Sequence, residues 1–323
     1  MNAKENALEV IRFGRPERVP FQVPFKRVSY LGCDHQGYEG GGHHLPVGSR
    51  WKDIWGTEWH REHEGVMGFP RGNPLADFPA AMRGYSWPDP DDERITRRIH
   101  ELADKHRAEG LSEHFLAGAH RDTLWEKSYM LCGMENMMTY FYTEPEYAKE
   151  ILRRIMDFQL GMAKHYLKLG VEFVHFGDDL GTQNGPLLGP SIVLEFLVPE
   201  YRRLFDLYKK HDVLINFHSC GNMDSVIDVF MDLGVNVLNP LQATANDLPA
   251  LRRRVGKRMA FLGGISTGLI MEGPIERIRA EVKKRIAELG REGGYFCAPD
   301  QGMPFPEAHK KAFEEAVEEF GSY

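Results

Sequence analysis

Cysteine is scarce in this chain: four residues in 323, at 33, 132, 220 and 297, far apart and forming no C-x-x-C pair. That is too few for a disulfide framework, so we read them as thiols, available as ligands. Long apolar runs are missing as well. No window approaches the roughly 18 apolar residues of a membrane span, and "MNAKENALEVIRFGRPERVP" lacks the apolar stretch of a signal peptide. We expect a cytoplasmic protein. Blocks of like charge are absent although 27% of residues are charged, with a net charge of −7, which argues against nucleic acid as a partner. No G-x-G-x-x-G follows an early strand, which removes the usual mark of a dinucleotide-binding sheet.

What is present is an alternation. From about residue 114 onward, short apolar runs alternate with longer segments that carry a helical stripe. The expected strands are "HFLAGAH" (114–120), "VEFVHFGDD" (171–179), "VLINFHSCG" (213–221), "VNVLNPLQ" (235–242), "MAFLGGIS" (259–266) and "YFCAPDQ" (295–301), with "RVPFQVPF" (18–25) as a candidate first strand. Tyr147, Ile151, Ile155, Phe158, Met162, Tyr166 and Leu169 recur at intervals of four and three, the stripe of an amphipathic helix. Thr143 and Glu146 have the spacing of a capping box at its start, Pro145 suits its first turn, and Gly170 ends it. "GPIERIRAEVKKRIAELG" (273–290) repeats the logic, with Gly290 as its terminal glycine, and a last helix spans about 306–320.

Strand-then-helix units of this size imply parallel strands joined by right-handed crossovers, in a doubly wound sheet or a barrel. Polar residues stand at the C-terminal tip of nearly every run: His120, Asp178 and Asp179, His218 and Cys220, Gln242, Ser266, and Asp300 with Gln301. Tips converging on one mouth favour a (β/α)8 TIM-type barrel, as a single domain over the whole chain. Residues 27–100 read as an irregular N-terminal elaboration or lid, with a Gly/His stretch, "HQGYEGGGHH", and an aromatic one, "WKDIWGTEWHREHEG". Trp51, Trp55 and Trp59 recur every four residues, which favours a stripe packed on the barrel over a ligand platform. His60 and His63 lack a close third ligand, which weighs against a metal there.

The chemistry concentrates in "INFHSCGN" (215–222). Residues i and i+2 of a strand project to one side, so His218 and Cys220 point together. With 14 histidines and four cysteines in the chain, chance predicts roughly 0.17 such pairs, so the spacing is suggestive and not decisive. It suits Zn²⁺, whose catalytic sites use three protein ligands and one open position; the competing reading is a buried thiol beside a hydrogen-bonded histidine. His120 is a candidate for the mouth, and His175 reads as a satisfied core histidine.

Five motifs, "DDLGTQNGPLLGP" (178–190), "HSCGN" (218–222), "LGVNVLNPLQ" (233–242), "FLGGIST" (261–267) and "APDQGMP" (298–304), in that order, resemble the uroporphyrinogen decarboxylase superfamily over roughly residues 110–320. The resemblance implies a barrel with its site at the C-terminal mouth, and two main branches. Tetrapyrrole decarboxylases work without metal through arginine and aspartate, but their "RQAGRY"-like stretch is replaced here by "VPFKRVSYLG". Zinc methyltransferases of corrinoid-dependent systems carry His-x-Cys plus a distant Cys, and His218 and Cys220 match the first two ligands.

Gln301 falls at the position of that third cysteine. The remaining ligand is then the Gln301 oxygen or a carboxylate, Asp178, Asp179 or Asp300, while Cys297 reads as a core thiol. Asp178 and Asp179 are alternatively expected to orient a ligand or handle a proton. Gln242 and Asn239 are expected to shape the cofactor pocket, and Gly263 with Gly264 to let the backbone approach a ligand. The resemblance thus implies a methyltransferase working between a small methylated compound, or a thiol or folate acceptor, and a corrinoid (cobalamin) carried by a partner protein. A metal-free lyase and a non-catalytic corrinoid- or tetrapyrrole-binding protein are the alternatives.

Overall fold

In a computed structural model, which describes residues 1–30, 45–64 and 67–323, the chain opens with helix α1 (Ala3–Ile11) and then strand β1 (Phe25–Ser29). Three short strands follow, β2 (Arg50–Lys52), β3 (Glu58–His60) and β4 (Phe69–Gly72), forming a small antiparallel sheet. After helix α2 (Glu93–Glu109) come β5 (Phe115–His120), α3 (Trp125–Cys132), α4 (Met134–Thr143) and α5 (Pro145–Lys168). The remaining strands, β6 (Phe173–Gly177), β7 (Leu214–His218), β8 (Val237–Leu241), β9 (Ala260–Ile265) and β10 (Tyr295–Pro299), alternate with helices. Cys33 and the "HQGYEGGGHH" stretch lie outside the described residues.

The described residues form one parallel sheet of seven strands in the order β1-β5-β6-β7-β8-β9-β10, the arrangement of a TIM-type α/β fold. "RVPFQVPF" is the lead-in to the first strand, which begins only at Phe25. Pro20 and Pro24 have no N–H to give a ladder; Pro20 O nevertheless accepts from Cys297 N at 2.9 Å, joining the lead-in to β10. Outside the sheet a single large apolar core packs the helices against the strands. Inside, a second cluster of Phe115, Ala117, Phe173, Val237, Ala260 and Phe296, with Ala7, Val10 and Ile11 of α1, closes the N-terminal end.

Local signals resolved unevenly. Gly170, at φ +69°, ends α5 in a Schellman turn, with Val171 N donating to Tyr166 O and Gly170 N to Leu167 O. The capping box is absent: Thr143 is still the last residue of α4, its hydroxyl donates to Thr139 O, and Glu144 takes the cap position of α5. Gly290 keeps φ −97° and caps its helix without the left-handed turn.

The tryptophans pack as expected but not as a helical stripe. Trp51 and Trp59 are a cross-strand pair, stacked at 6.3 Å, while Trp55 lies between the strands and meets Phe158 at 4.8 Å. Of the region read as irregular, residues 25–29 are a barrel strand, 50–72 hold the small sheet and 93–109 are helix. The strands of the small sheet are three or four residues long, too short for a period to emerge.

Candidate metal centre

His218 is the last residue of β7, and its neighbours in register are Gly177 of β6 and Asn239 of β8. Asn239 therefore lies beside the ring, and its Oδ1 accepts from His218 Nδ1 at 2.9 Å. That bond fixes the proton on Nδ1 and leaves the Nε2 lone pair facing outward. Nε2 is 3.5 Å from Cys220 Sγ and 3.6 Å from Asp179 Oδ1, and one donor atom from each of the three residues lies within 4.8 Å of the others. Tetrahedral zinc, with bonds of about 2.0–2.3 Å, holds neighbouring donors about 3.3–3.6 Å apart. The two separations from the imidazole match that spacing, so the imidazole, thiol and carboxylate form a donor set of the kind zinc takes.

Two loops bring Asp179 to Cys220. Gly181 and Gly221 meet backbone to backbone: a Cβ on Gly181 would lie 2.6 Å from Cys220 O, and one on Gly221, at φ +85°, 2.4 Å from Gly181 C. Only glycine permits that approach. Asn222 N donates to Thr182 O, Leu180 N to Ser219 Oγ, and Cys220 N to Asp179 Oδ1 at 2.9 Å. Burial, and after it the negative charge of Asp179, pushes the Cys220 thiol above its ordinary value. A bound cation reverses that balance by stabilising the thiolate.

Asp178 points the other way. It is fully buried, and its carboxylate accepts from the backbone N–H groups of Leu124, Trp125 and Glu126 at 3.0, 2.8 and 2.7 Å, and from the Tyr201 hydroxyl. It anchors the start of α3 and does not reach the donor cluster. Burial lifts this carboxyl to about 7, against the pull of Tyr201 and the three N–H groups.

Asp300 is likewise turned away from the donors. Its oxygens accept from Ala243 N at 3.2 and 3.3 Å, and burial raises it to about 7. Gln301 does reach the centre, but as a donor: its Nε2 lies 2.8 Å from Cys220 Sγ. Gln242 braces the loop from behind, accepting from Gly221 N at 2.7 Å.

The glycine pair of β9 serves protein packing. A Cβ on Gly263 would lie 2.6 Å from Leu241 N, and one on Gly264 2.9 Å from Tyr295 Oη. His120 is in the core, held by Gln159 Oε1 and Tyr208 Oη at 2.7 and 2.6 Å, with its pKa lowered to about 4 by burial. Cys297 is fully buried, and burial pushes its thiol up to about 12. His175 is only partly buried and lines the barrel interior below His218, the ring centroids 6.0 Å apart. His60 pairs with Glu62 at 3.1 Å and joins no donor cluster among the described residues.

Sequence reasoning missed Glu126. It occupies the first turn of α3 next to the mouth, where burial, then the charges of Asp122, Asp178 and Asp179, push its carboxyl well above the usual range. Its one signal was position, just beyond the tip of a predicted strand.

In parallel barrels of this type the C-terminal tips of the strands, where these donors gather, are where barrel enzymes carry their sites. Residues 125–320 match the family described as Uroporphyrinogen decarboxylase (URO-D), and the chain belongs to that family. It is 22% identical over 177 residues to a methylated-thiol–coenzyme M methyltransferase of Methanosarcina mazei, covering 54% of this chain and 46% of that protein. It is 25% identical over 184 residues to a uroporphyrinogen decarboxylase of Cellvibrio japonicus, covering 56% and 50%. The chain thus spans about half the length of these curated relatives. A solved structure of a methyltransferase from Methanosarcina mazei superposes with a TM-score of 0.72 at 16% identity, covering 99% of both chains, which supports the TIM-type fold. No helix among the described residues is long and apolar enough to cross a membrane.

Proposed function

We propose that this chain is a zinc-dependent methyltransferase that moves a methyl group between a small methylated compound, or a thiol or folate acceptor, and a corrinoid carried by a partner protein. The observation that carries the reading is the spacing of His218 Nε2, Cys220 Sγ and the Asp179 carboxylate, all within 4.8 Å, with the histidine tautomer set by Asn239. A zinc ion held by these three residues supplies Lewis acidity toward a thiol or a leaving oxygen. The chain's own contribution is positional. Asn239 holds the imidazole, the interlocked loops at Gly181 and Gly221 hold Asp179 against Cys220, and Gln301 offers an N–H to the Cys220 sulfur.

The family match and the methyltransferase relative support methyl transfer; Gln301 beside Cys220, in place of a second thiolate, is what favours the metal-free lyase. Metal analysis of protein purified without a histidine tag separates the two. Methyl transfer predicts near-stoichiometric zinc that is lost in His218→Ala, together with a change in cobalamin methylation state in the visible spectrum. Folded wild-type protein free of metal, releasing carbon dioxide from a carboxylated tetrapyrrole, would establish the lyase instead.

A further inference from the structure

The small sheet buries one face. Residues of a strand alternate between faces, and on β2 and β3 the tryptophans take the inner one: Trp51 and Trp59 are buried in a cluster with Met130 of α3. Their neighbours Arg50, Lys52 and Glu58 are exposed on the outer face, and Phe69 and Arg71 of β4 are exposed as well. Arg50 stands opposite His60, and His60 opposite Phe69, so one row of that face runs guanidinium, imidazole, phenyl ring across the three strands. A cleft of about 400 Å³ opens there, walled by Arg50, Lys52, Glu58, His60 and Arg71 and reached by the two tryptophans.

The wall carries three cations and one carboxylate, on a chain whose net charge is −7. Lys52 is matched by Glu58 at 3.0 Å, and Arg71 by Glu62, through Nε and Nη2 at 2.7 and 2.6 Å. Both retain donors beyond those contacts, since an ammonium carries three N–H bonds and a guanidinium five. Arg50 has no counter-charge: its side chain makes no ion pair or hydrogen bond among the described residues. The free guanidinium and the spare donors come from β2 and β4, the two outer strands of the sheet, so an anion in the cleft meets N–H groups from both sides. The apolar part of the lining comes from the indoles of Trp51 and Trp59, stacked nearly parallel at 6.3 Å.

We infer that this cleft binds a phosphate monoester carrying an apolar ring, its phosphate held by Arg50, Lys52 and Arg71 and its ring set against the edges of Trp51 and Trp59. One guanidinium fork satisfies the two oxygens of a carboxylate. Three cationic side chains arriving from two strands suit the three oxygens and the charge of nearly −2 that a phosphate ester presents. The inference goes beyond the methyl-transfer reading and does not depend on it, because none of these residues belongs to the donor set of Asp179, His218 and Cys220.

The test is calorimetric titration of the whole chain, at fixed low ionic strength, with phenyl phosphate, inorganic phosphate and phenol. Phenyl phosphate should bind about tenfold or more tighter than inorganic phosphate or phenol, because only the ester uses both the cations and the apolar lining. Arg50→Gln should weaken it about tenfold, the low end for a hydrogen bond to a charged group, as suits an exposed side chain. Arg50→Lys should retain part of the affinity, and an equal concentration of benzoate should not displace the ester. His218→Ala should leave the affinity unchanged, which places the ester away from the metal donors. Arg50 is exposed, and circular dichroism checks that each variant folds. No binding of phenyl phosphate at millimolar concentration, binding that survives Arg50→Gln, displacement by benzoate, or loss of binding in His218→Ala would each overturn the inference.

Discussion

Replacing Asp178 by alanine tests the division of labour between two adjacent aspartates. The side chain satisfies four donors at once, the N–H groups of Leu124, Trp125 and Glu126 and the hydroxyl of fully buried Tyr201. Asp178→Ala strands all four in a region that excludes water. An unsatisfied buried polar group costs about 1–3 kcal/mol, so even the low end gives about 4 kcal/mol. Unfolding entropy of about 2.1 cal/mol/K per residue puts a chain of this length near 0.7 kcal/mol/K, and the expected fall in Tm is about 6 °C. Asp178→Asn retains one acceptor oxygen and should lose roughly half as much. Differential scanning calorimetry, with urea unfolding as a second measure, reads both. A Tm for Asp178→Ala within about 2 °C of wild type would mean that the carboxylate does not anchor α3, and the assignment of Asp179 alone to the metal donors would lose its structural ground.

Two further outcomes follow from individual contacts. Asn239→Leu removes the acceptor that fixes His218 Nδ1, and zinc affinity measured by chelator competition should fall about 10- to 100-fold with the fold intact; unchanged affinity would show that the ring needs no such partner. His120 is fully buried with a folded pKa of about 4, below the 6.5 of an ordinary imidazole. Between those values the unfolded chain holds the extra proton, so stability is complete above pH 6.5 and falls by up to about 3 kcal/mol as pH drops toward 4. In urea unfolding at pH 7 and pH 4.5, His120→Gln should lose less stability on acidification than wild type, and equal losses in the two proteins would exclude His120 as the cause.

The six strands between residues 114 and 301 were legible because parallel strands buried on both faces read as short continuous apolar runs. The same rule misled at "RVPFQVPF", where the apolar residues are right but Pro20 and Pro24 cannot donate to a ladder. Trp51, Trp55 and Trp59 have a helical spacing, yet a chain that turns back on itself places Trp51 opposite Trp59 and produces the same interval. Helix α2 escaped notice because only Ile95, Ile99 and Ala103 of its 17 residues are buried, a narrow stripe within a strongly charged segment.

At the centre itself, strand alternation reaches only His218, the last residue of β7, while Cys220 lies two residues past the strand end and is held beside it by the loop contacts with Asp179 and Gly181. Past the end of a strand that rule lapses, and each remaining choice fell between neighbours. Asp178 or Asp179 was decided by the N-terminus of α3 and by Tyr201, both more than 20 residues away in sequence, which claim Asp178 and leave Asp179 for Cys220. Asp300 or Gln301 was decided by Ala243 N, which takes the carboxylate and leaves the amide at the sulfur. Alternation was equally available on β1, where "FKRVS" sends Phe25, Arg27 and Ser29 to one side and Lys26 and Val28 to the other. What the sequence could not supply was which side is the barrel interior; the Lys26–Glu109 pair, which puts Lys26 on the side of helix α2, settles that.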